Sequence, residues 1–279
     1  MTSDASIWPG PLTALCKMVR CLTMKQPHPA LTVIHAQRST HGDFTPEPLP
    51  EVDLTTILEA ACRAPSASNR QAWSVIVVED HAVMKELLGY QAAAALVFCN
   101  DTTRLDDLAQ ALGTDYPLNP TSRLTTGIFD VGCAAQNAAL AATALGWGTL
   151  FTNGLHRGDV RRAWRILGLP ERHCLPVIAL LLGRPAHEGR PKMRWSGPGL
   201  VHRSTYQRMK PEQIQEHIEA LDRCDQGFCA DNDDHAARGF AHRIEAYFAG
   251  AGRGGPAHDL HHPHPLDLVL VETGFTWKA

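Results

Sequence analysis

The pattern that most constrains the fold lies between residues 123 and 145, where apolar side chains recur at spacings of three and four. This spacing predicts one helix of about six turns. Most of its apolar face is alanine, so another element can approach closely, and the face is either central to a domain or an interface between subunits. Gly146 is typical of a helix C-terminus. The recurring positions are Leu124, Ile128, Val131, Ala135, Ala138, Ala142 and Leu145.

Further helices and strands are predicted on both sides of this segment. Continuous apolar and β-branched runs predict strands at 73–79, 94–99, 149–152 and 174–183. Amphipathic spacing predicts helices at 51–63, 81–89, 101–112 and 157–167. Their order predicts a three-layer domain of mixed α and β structure over about 30–205.

Composition narrows the function classes. The chain has 279 residues, 44% of them hydrophobic and 20% charged, which is typical of a globular protein. Its net charge of −3 gives no reason to expect nucleic acid or an anionic membrane as a partner. No apolar run reaches the roughly 18 residues of a membrane span, and Lys17 and Arg20 interrupt the apolar N-terminus. We therefore predict a cytoplasmic protein.

The two ends differ from the middle of the chain. Residues 11–24 have a helical pattern, but Met24 is a second candidate start, so we predict that 1–24 is an extension outside the core. From about 210 onward, helices are predicted at 211–222 and 234–248, with a final apolar turn at 266–271. A Gly-, Pro- and His-rich loop separates the last two.

Histidine and cysteine raise the question of a metal site. Six of the fifteen histidines lie in the C-terminal region, but their spacing matches no closed four-ligand pattern, so a solvent-facing loop is favoured over zinc or nickel binding. The six are His235, His242, His258, His261, His262 and His264. The eight cysteines form no C-x-x-C motif, and we predict reduced, buried thiols.

Several familiar motifs are missing from the sequence. No G-x-G-x-x-G follows a predicted strand, and there is no phosphate loop, nucleophile elbow or H-E-x-x-H zinc helix. Two compact polar and basic sets are present instead, at 37–41 (QRSTH) and 192–194 (KMR). Each occurs at the end of a predicted element, and distant basic residues can converge there on a phosphate.

A polar loop, RAPSASNRQAW, leads into the first predicted strand. Together with the two basic sets it resembles the nitroreductase family of flavin mononucleotide (FMN) enzymes over about 33–209. Four blocks carry the resemblance in order. They are QRSTHGDF, RAPSASNRQAW, DVGCAAQNAALAATALGWGTLFTNGL, and LGLPERHCLPVIALLLGRP leading into KMR.

The resemblance implies an α+β fold, a three-layer α/β/α sandwich with a mixed central sheet. It also implies a homodimer in which each FMN is contacted by both subunits. Residues 25–209 would form the FMN-binding domain, and 210–279 a helical C-terminal extension that caps it. The implied reaction passes hydride from NADH or NADPH through flavin N5 to nitroaromatics, quinones or similar acceptors, with no ionisable catalytic side chain.

Site residues carry over by position. Arg38, Ser39, Lys192 and Arg194 would hold the FMN phosphate, with His41 as a weaker member. The partner subunit would contribute three loop residues to the ring and ribityl chain, which are Pro65, Ser66 and Asn69. Asp130 would lie near the ribityl region, and Asn153 and Gly154 would offer a backbone N–H to flavin N5. Gln71 and Trp73 are interpreted as structural.

The sequence departs from the family pattern at some positions. Gln37 stands where the family usually has the first of two arginines, which removes one cation, and Ala72 replaces a proline. Two other functions remain open. One keeps the flavin for a specialised reaction such as dehalogenation, desaturation or flavin fragmentation. The other is a non-enzymatic flavin- or metal-binding protein.

Overall fold

A computed structural model describes residues 28–116, 119–189, 194, 196–226 and 265–276 of the chain. Its contacts divide the chain into two compact units, 1–36 and 37–279. In the first unit, helix α1 (Pro29–Ala36) has no buried residues. The predicted helices at 11–24 and 234–248, the histidine-rich loop and Lys192 lie outside the described residues. The domain boundaries predicted after residues 24 and 209 stay predictions.

The second unit contains four strands and seven described helices. The strands are β1 (Trp73–Val78), β2 (Ala94–Asp101), β3 (Gly148–Thr152) and β4 (Cys174–Gly183). The helices are α2 (Glu51–Cys62), α3 (His81–Leu88), α4 (Thr103–Ala111), α5 (Pro120–Ala144), α6 (Arg162–Leu167), α7 (Pro211–Gln226) and α8 (Pro265–Glu272). None of the helices within these described ranges is long and apolar enough to cross a membrane.

The four strands form one sheet in the order β1-β2-β4-β3. All three pairs are antiparallel, with Trp73 opposite Asn100 at one end of the sheet and Thr149 opposite Leu182 at the other. The parallel component of the predicted mixed sheet is a single bridge between Ser39 and Thr149, at the outer edge of β3. The sheet is thus antiparallel except for this bridge.

Side chains that alternate between the two faces of the sheet divide the core into two layers. On one face, Leu96, Phe98 and Leu180 pack with the buried sides of α2 and α5. On the other face, Val97 and Leu181 pack with α3, α6 and α8. Successive strand residues point to opposite faces, so continuous apolar strands require cover on both sides. The predicted three-layer α/β/α arrangement is confirmed.

Helix α5 is the long helix predicted from the alanine pattern. It begins three residues earlier than predicted, because Asn119 accepts the Ser122 N–H as the N-terminal cap and Pro120 occupies the first turn. Its small residues allow close contact with the sheet. A Cβ atom on Gly127 would lie 1.9 Å from Asn100 Oδ1 in β2. The alanine face is therefore the centre of the domain within one chain.

Two predicted helices start later than expected, each because a local turn precedes it. Helix α4 begins at Thr103, since Asp101 still belongs to β2 and its carboxylate accepts the Thr103 N–H at 2.9 Å. Helix α6 begins at Arg162 rather than 157, since Gly158 has a φ of 63° and breaks the regular backbone.

The cysteines only partly match the prediction of buried thiols. Cys99 and Cys174 are buried on neighbouring strands, whereas Cys133 is half-buried and Cys62 is exposed at the end of α2. All four are reduced. Two effects raise the pKa of the Cys99 thiol well above its usual value: the larger is a hydrogen bond with Cys174, and the second is burial. This thiol therefore stays protonated and unreactive.

The C-terminal segment is part of the core of the second unit. Val269 in α8 and Phe275 just after it are 3% and 0% exposed and belong to the same apolar cluster as α3 and α6. Thr273 is buried as well, and its hydroxyl donates to the Val269 carbonyl. The apolar turn predicted near 266–271 therefore docks on the sheet layer.

This burial predicts that Phe275→Ala destabilises the protein. The substitution removes a fully buried aromatic side chain, which should lower the free energy of unfolding by about 3–5 kcal/mol. Leu268→Ala, on the same segment but 53% exposed, should change it by less than about 1 kcal/mol. Urea titration of both variants measures the difference. Equal stability of the two variants would contradict the docking of this segment.

Candidate functional site

The segment 38–45 connects the outer edge of β3 to the chain that follows β4. The Thr40 N–H donates to the Thr149 carbonyl at 2.8 Å, and the Thr45 N–H donates to the Arg184 carbonyl at 2.8 Å. Between these bonds, Phe44 pairs with Pro185. The basic set near residue 38 is therefore held against the end of β4, although well over a hundred residues separate the two in sequence.

Arg38 is the side chain that makes this connection. Its Nη2 donates to the His187 carbonyl at 3.1 Å. A Cβ atom on Gly189 would lie 2.5 Å from Arg38 Nη1, so the guanidinium packs directly against this glycine and a larger residue would displace it. The chain continues from Gly189 to Lys192, which is outside the described residues, and to Arg194, which is exposed. The structure therefore brings Arg38 to the segment that carries the second basic set.

The neighbours of Arg38 have different environments. Ser39 and His41 are exposed, whereas Thr40 between them is 3% exposed. The Thr40 hydroxyl has no hydrogen-bond partner within the described part of the chain. Gln37 accepts a hydrogen bond from Gln136 Nε2 of α5 at 2.7 Å. The residue that replaces the family's first arginine therefore contacts the central helix.

The polar loop before β1 is organised by a buried carboxylate. Asp130 of α5 is 1% exposed, and its two oxygens accept the Ser66 hydroxyl at 2.5 Å and the Ala67 N–H at 2.9 Å. The Ser66 hydroxyl oxygen in turn accepts the Gln71 N–H at 2.6 Å. The structure thus brings together two of the predicted site residues, Asp130 and Ser66. Their side chains hydrogen-bond to each other.

The remaining predicted loop residues face outward. Pro65 and Asn69 are exposed. Gln71 Nε2 lies 3.4 Å from Asn69 Oδ1, and the Gln71 carbonyl accepts the Trp73 N–H, which supports the structural interpretation of Gln71. Trp73 packs its ring 6.0 Å from that of Phe98 in the sheet.

Side chains outside the loop support it and were missed by sequence reasoning. Arg104 of α4 donates to the Gln71 carbonyl at 2.5 Å, and Arg70 lies 3.4 Å from the Tyr116 hydroxyl. Tyr116 in turn is held by the buried Arg123, which donates to its carbonyl at 2.9 Å and pairs with Asp106 at 3.0 Å. No spacing in the sequence indicates these contacts, because they join three separate elements.

Asn153 and Gly154 lie directly after β3. Asn153 is exposed, but Gly154 is buried, and a Cβ atom on it would lie 2.8 Å from the Leu88 carbonyl oxygen. The Gly154 N–H donates to the Thr152 hydroxyl at 3.1 Å. The Gly154 amide is thus engaged within the chain and Asn153 is the exposed member of the pair, and the donation of a backbone N–H to flavin N5 stays a prediction.

The strand register places the two halves of the predicted site at opposite corners of the sheet. The polar loop enters at Trp73, on edge strand β1 and at the Asn100 end, while Ser39 lies beside edge strand β3 at the Ala94 end. Ser39 lies one spacing beyond β3, so four strand spacings and six residues along β2 separate it from Trp73, which amounts to about 28 Å. The loop thus enters the sheet far from Ser39 of the same chain.

Two surface depressions are lined by residues other than the predicted site residues. One, of about 500 Å³, is lined by residues 106–116 after β2, and the other, of about 490 Å³, lies along α2 near Cys62. Neither includes Arg38, Ser66 or Asn153. Over the ranges that the structure describes, no group of three or more His, Cys, Asp or Glu side chains is arranged to hold a metal ion.

Comparison with known proteins adds independent information. The model of the "Nitroreductase family" matches residues 35–184, more than half of the chain. An FMN reductase [NAD(P)H] of Bacillus subtilis is 33% identical over 190 residues, which cover 64% of this chain and 74% of the relative. An oxygen-insensitive NADPH nitroreductase of Salmonella typhimurium is 30% identical over 201 residues, covering 69% of this chain and 81% of the relative.

Solved structures show the same architecture. NfrA2 of B. megaterium superposes with a TM-score of 0.78 at 24% identity, covering 91% of this chain and all of that protein. The NADPH:FMN oxidoreductase of Vibrio harveyi, solved in complex with NAD+, has a TM-score of 0.72 at 24% identity and covers 90% of this chain. At these identities the likeness establishes the fold.

Proposed function

The chain belongs to the nitroreductase family, and from this premise we propose that it passes hydride from NAD(P)H through FMN to nitroaromatic, quinone or similarly electron-poor acceptors. Relatives named as an FMN reductase [NAD(P)H], an oxygen-insensitive NADPH nitroreductase and an NADPH-flavin oxidoreductase support FMN-dependent NAD(P)H oxidoreductase chemistry. The chain is therefore an FMN-dependent NAD(P)H oxidoreductase, and the range of electron acceptors is what we propose in addition.

The observation that carries the proposal is the position of Arg38. Its guanidinium lies against Gly189, three residues before Lys192 and five before Arg194. A fixed fork of N–H donors beside further cations suits a phosphate group, which accepts several charge-assisted hydrogen bonds. Ser39 adds an exposed hydroxyl. These donors fit the phosphate of FMN.

The rest of the cofactor would follow β3. Ser39 pairs with Thr149 near the start of β3, and Asn153 follows its last residue. Four residues of strand span about 13 Å, a length suited to an extended ribityl chain and part of a ring. Asn153 is exposed, so we expect its backbone N–H, rather than that of Gly154, to face the ring.

Completion of the site requires a second copy of the chain. The polar loop enters the sheet at Trp73, about 28 Å from Ser39 of its own chain, so it is available to the site of a partner. Helix α5 also exposes Ile128 and Phe129, which are 41% and 61% accessible on the side away from the sheet. Exposed large apolar side chains on a central helix favour a subunit interface. We infer a homodimer with two shared sites.

The protein's part in the reaction is binding and orientation. Bound FMN supplies hydride transfer between the nicotinamide and the acceptor. Arg38, Lys192 and Arg194 would neutralise the phosphate and hold it beside β3. Asn153 would orient the ring, and the partner's loop would cover it and exclude water. No ionisable side chain is required at the reacting atoms.

The proposed chemistry predicts a bleaching experiment. Purified protein loaded with FMN should lose its yellow absorbance when NADH or NADPH is added without oxygen, and it should regain the absorbance when a nitroaromatic or quinone follows. Anaerobic absorbance spectroscopy measures both steps. Flavin-loaded protein that neither nicotinamide bleaches would contradict the oxidoreductase assignment, while bleaching without reoxidation by these acceptors would favour a specialised reaction.

The phosphate site predicts that Arg38→Ala and Arg194→Ala each weaken FMN binding. Each removes a charge-assisted contact of about 1.5–3 kcal/mol, which corresponds to about a 10- to 150-fold rise in the FMN dissociation constant. Arg165→Ala is the control, since Arg165 pairs with Asp159 at the surface with 64% of its side chain exposed. Flavin fluorescence titration gives the constants. Parent-like affinity in both test variants would refute this phosphate site.

The proposed dimer predicts that Phe129→Asp separates the subunits. Burial of a phenylalanine contributes about 1.5–3 kcal/mol, and a charge at this point makes the interface unfavourable. Leu112→Asp, at a 79% exposed leucine outside α5, should leave the dimer intact. Light scattering after size exclusion distinguishes the two results. A parent chain that is monomeric while fully loaded with FMN would overturn the shared-site arrangement.

A further inference from the structure

We propose that Asp130 is a positioning residue that shapes the loop 66–71 for the FMN of the neighbouring subunit, and that it does not bind FMN itself. This inference rests on the proposed function. Its evidence is the set of hydrogen bonds that the buried carboxylate makes, the backbone conformation of the loop and the position of the loop in the sheet.

Both carboxylate oxygens of Asp130 are already used. Oδ2 accepts the Ser66 hydroxyl at 2.5 Å, and Oδ1 accepts the Ala67 N–H at 2.9 Å. The residue is 1% exposed, so these bonds replace the water that the carboxylate lost on burial. Hydrogen bonds to a buried charged acceptor are strong and directional. Asp130 therefore fixes the start of the loop to the central helix.

The Ser66 hydroxyl carries this constraint to the end of the loop. Its proton goes to Asp130, and its oxygen accepts the Gln71 N–H at 2.6 Å. A hydroxyl has one donor and two acceptor positions, so the donor and one acceptor position are both occupied inside the protein. The carboxylate sets the direction of the hydroxyl, and this direction leaves a lone pair for Gln71.

The backbone between these anchors is unusual. Ser68, Asn69 and Gln71 have φ values of 54°, 54° and 53°, the left-handed region that side-chain-bearing residues rarely adopt. Such conformations persist only where surrounding interactions hold them. The Asp130 and Ser66 bonds are interactions of this kind, and they leave Pro65 and Asn69 exposed on the outer side of the loop.

The loop acts on another chain. The loop enters the sheet at Trp73, about 28 Å from Ser39 of its own chain, across the sheet and at its opposite end. Asp130 therefore influences a site to which its own Arg38 does not contribute. Asp130 and Arg38 of one chain therefore belong to different sites of the dimer. A positioning role of Asp130 affects the partner's site, whereas direct binding would affect the site of its own chain.

The first experiment compares variants of Asp130 and Ser66 in the full-length dimer. Asp130→Asn places an amide donor where the Ser66 proton needs an acceptor, and Ser66→Ala removes the hydroxyl. Both should raise the FMN dissociation constant about tenfold and alter the visible circular dichroism of the FMN-saturated dimer. Ser66→Thr keeps the hydroxyl in an extended backbone (φ −139°, ψ 140°) and should retain parent values.

A matched control lies on the same helix. Asn137 is seven residues further along α5, and its Nδ2 donates to the Ala60 carbonyl at 3.0 Å. Asn137→Ala removes a partly buried hydrogen bond between α5 and α2 that does not involve the loop. It should lower the melting temperature without changing FMN affinity or the circular dichroism of the flavin.

The second experiment uses mixed dimers with a different tag on each chain. One chain carries Arg38→Ala and the other Asp130→Asn. If Asp130 serves the partner's site, both defects fall in one site and the other site is intact. The mixed dimer then binds one FMN with parent affinity. If Asp130 serves its own chain's site, each site has one defect, and no parent-like binding remains.

The outcomes separate this inference from the function on which it rests. One parent-like site per mixed dimer, together with the Ser66→Thr result, supports the inference. Parent-like FMN affinity and circular dichroism in Asp130→Asn, or mixed dimers without a parent-like site, overturn it even if the enzyme binds and reduces FMN normally. A parent dimer that takes up no FMN overturns the proposed function and this inference together.

Discussion

The close packing of helix α5 on the sheet is the contact on which the remaining structure depends. A row of buried alanines faces the strands, and Gly127 meets the Asn100 side chain so closely that no larger residue fits. Asn100 Nδ2 donates to the Arg123 carbonyl at 3.0 Å, which orients the amide at this contact. The helix is thereby held in one register relative to the sheet.

This fixed register serves both halves of the proposed site. On one side, α5 presents Gln136 to Gln37, the residue before Arg38. On the other, it presents Asp130 to Ser66 and Ala67. A helix rises about 1.5 Å and turns about 100° per residue, so these two contacts lie about 9 Å apart along its axis and leave it in directions about 120° apart. A single rigid element thus locates the basic segment and the polar loop.

The antiparallel order β1-β2-β4-β3 then determines where the two halves can meet. Because the basic segment borders one edge strand and the loop enters at the other, the proposed site would draw on both copies of a dimer. The exposed apolar side of α5 offers a surface for a second copy. Association would create shared sites and cover that surface at the same time, so the fold, the proposed dimer and the proposed flavin chemistry are linked by one geometric constraint.

The sequence by itself determined the elements that local pattern controls. The 3.6-residue period of α5, the continuous apolar strands and the family blocks predicted a three-layer fold and the residues Arg38, Ser66 and Asp130. Tertiary structure decided what these residues contact. Spacing cannot show that the Gly154 amide donates to Thr152, that Arg104 supports the loop, or that Asp130 binds Ser66. These outcomes depend on strand order and register, which are set by packing between segments that are distant in sequence.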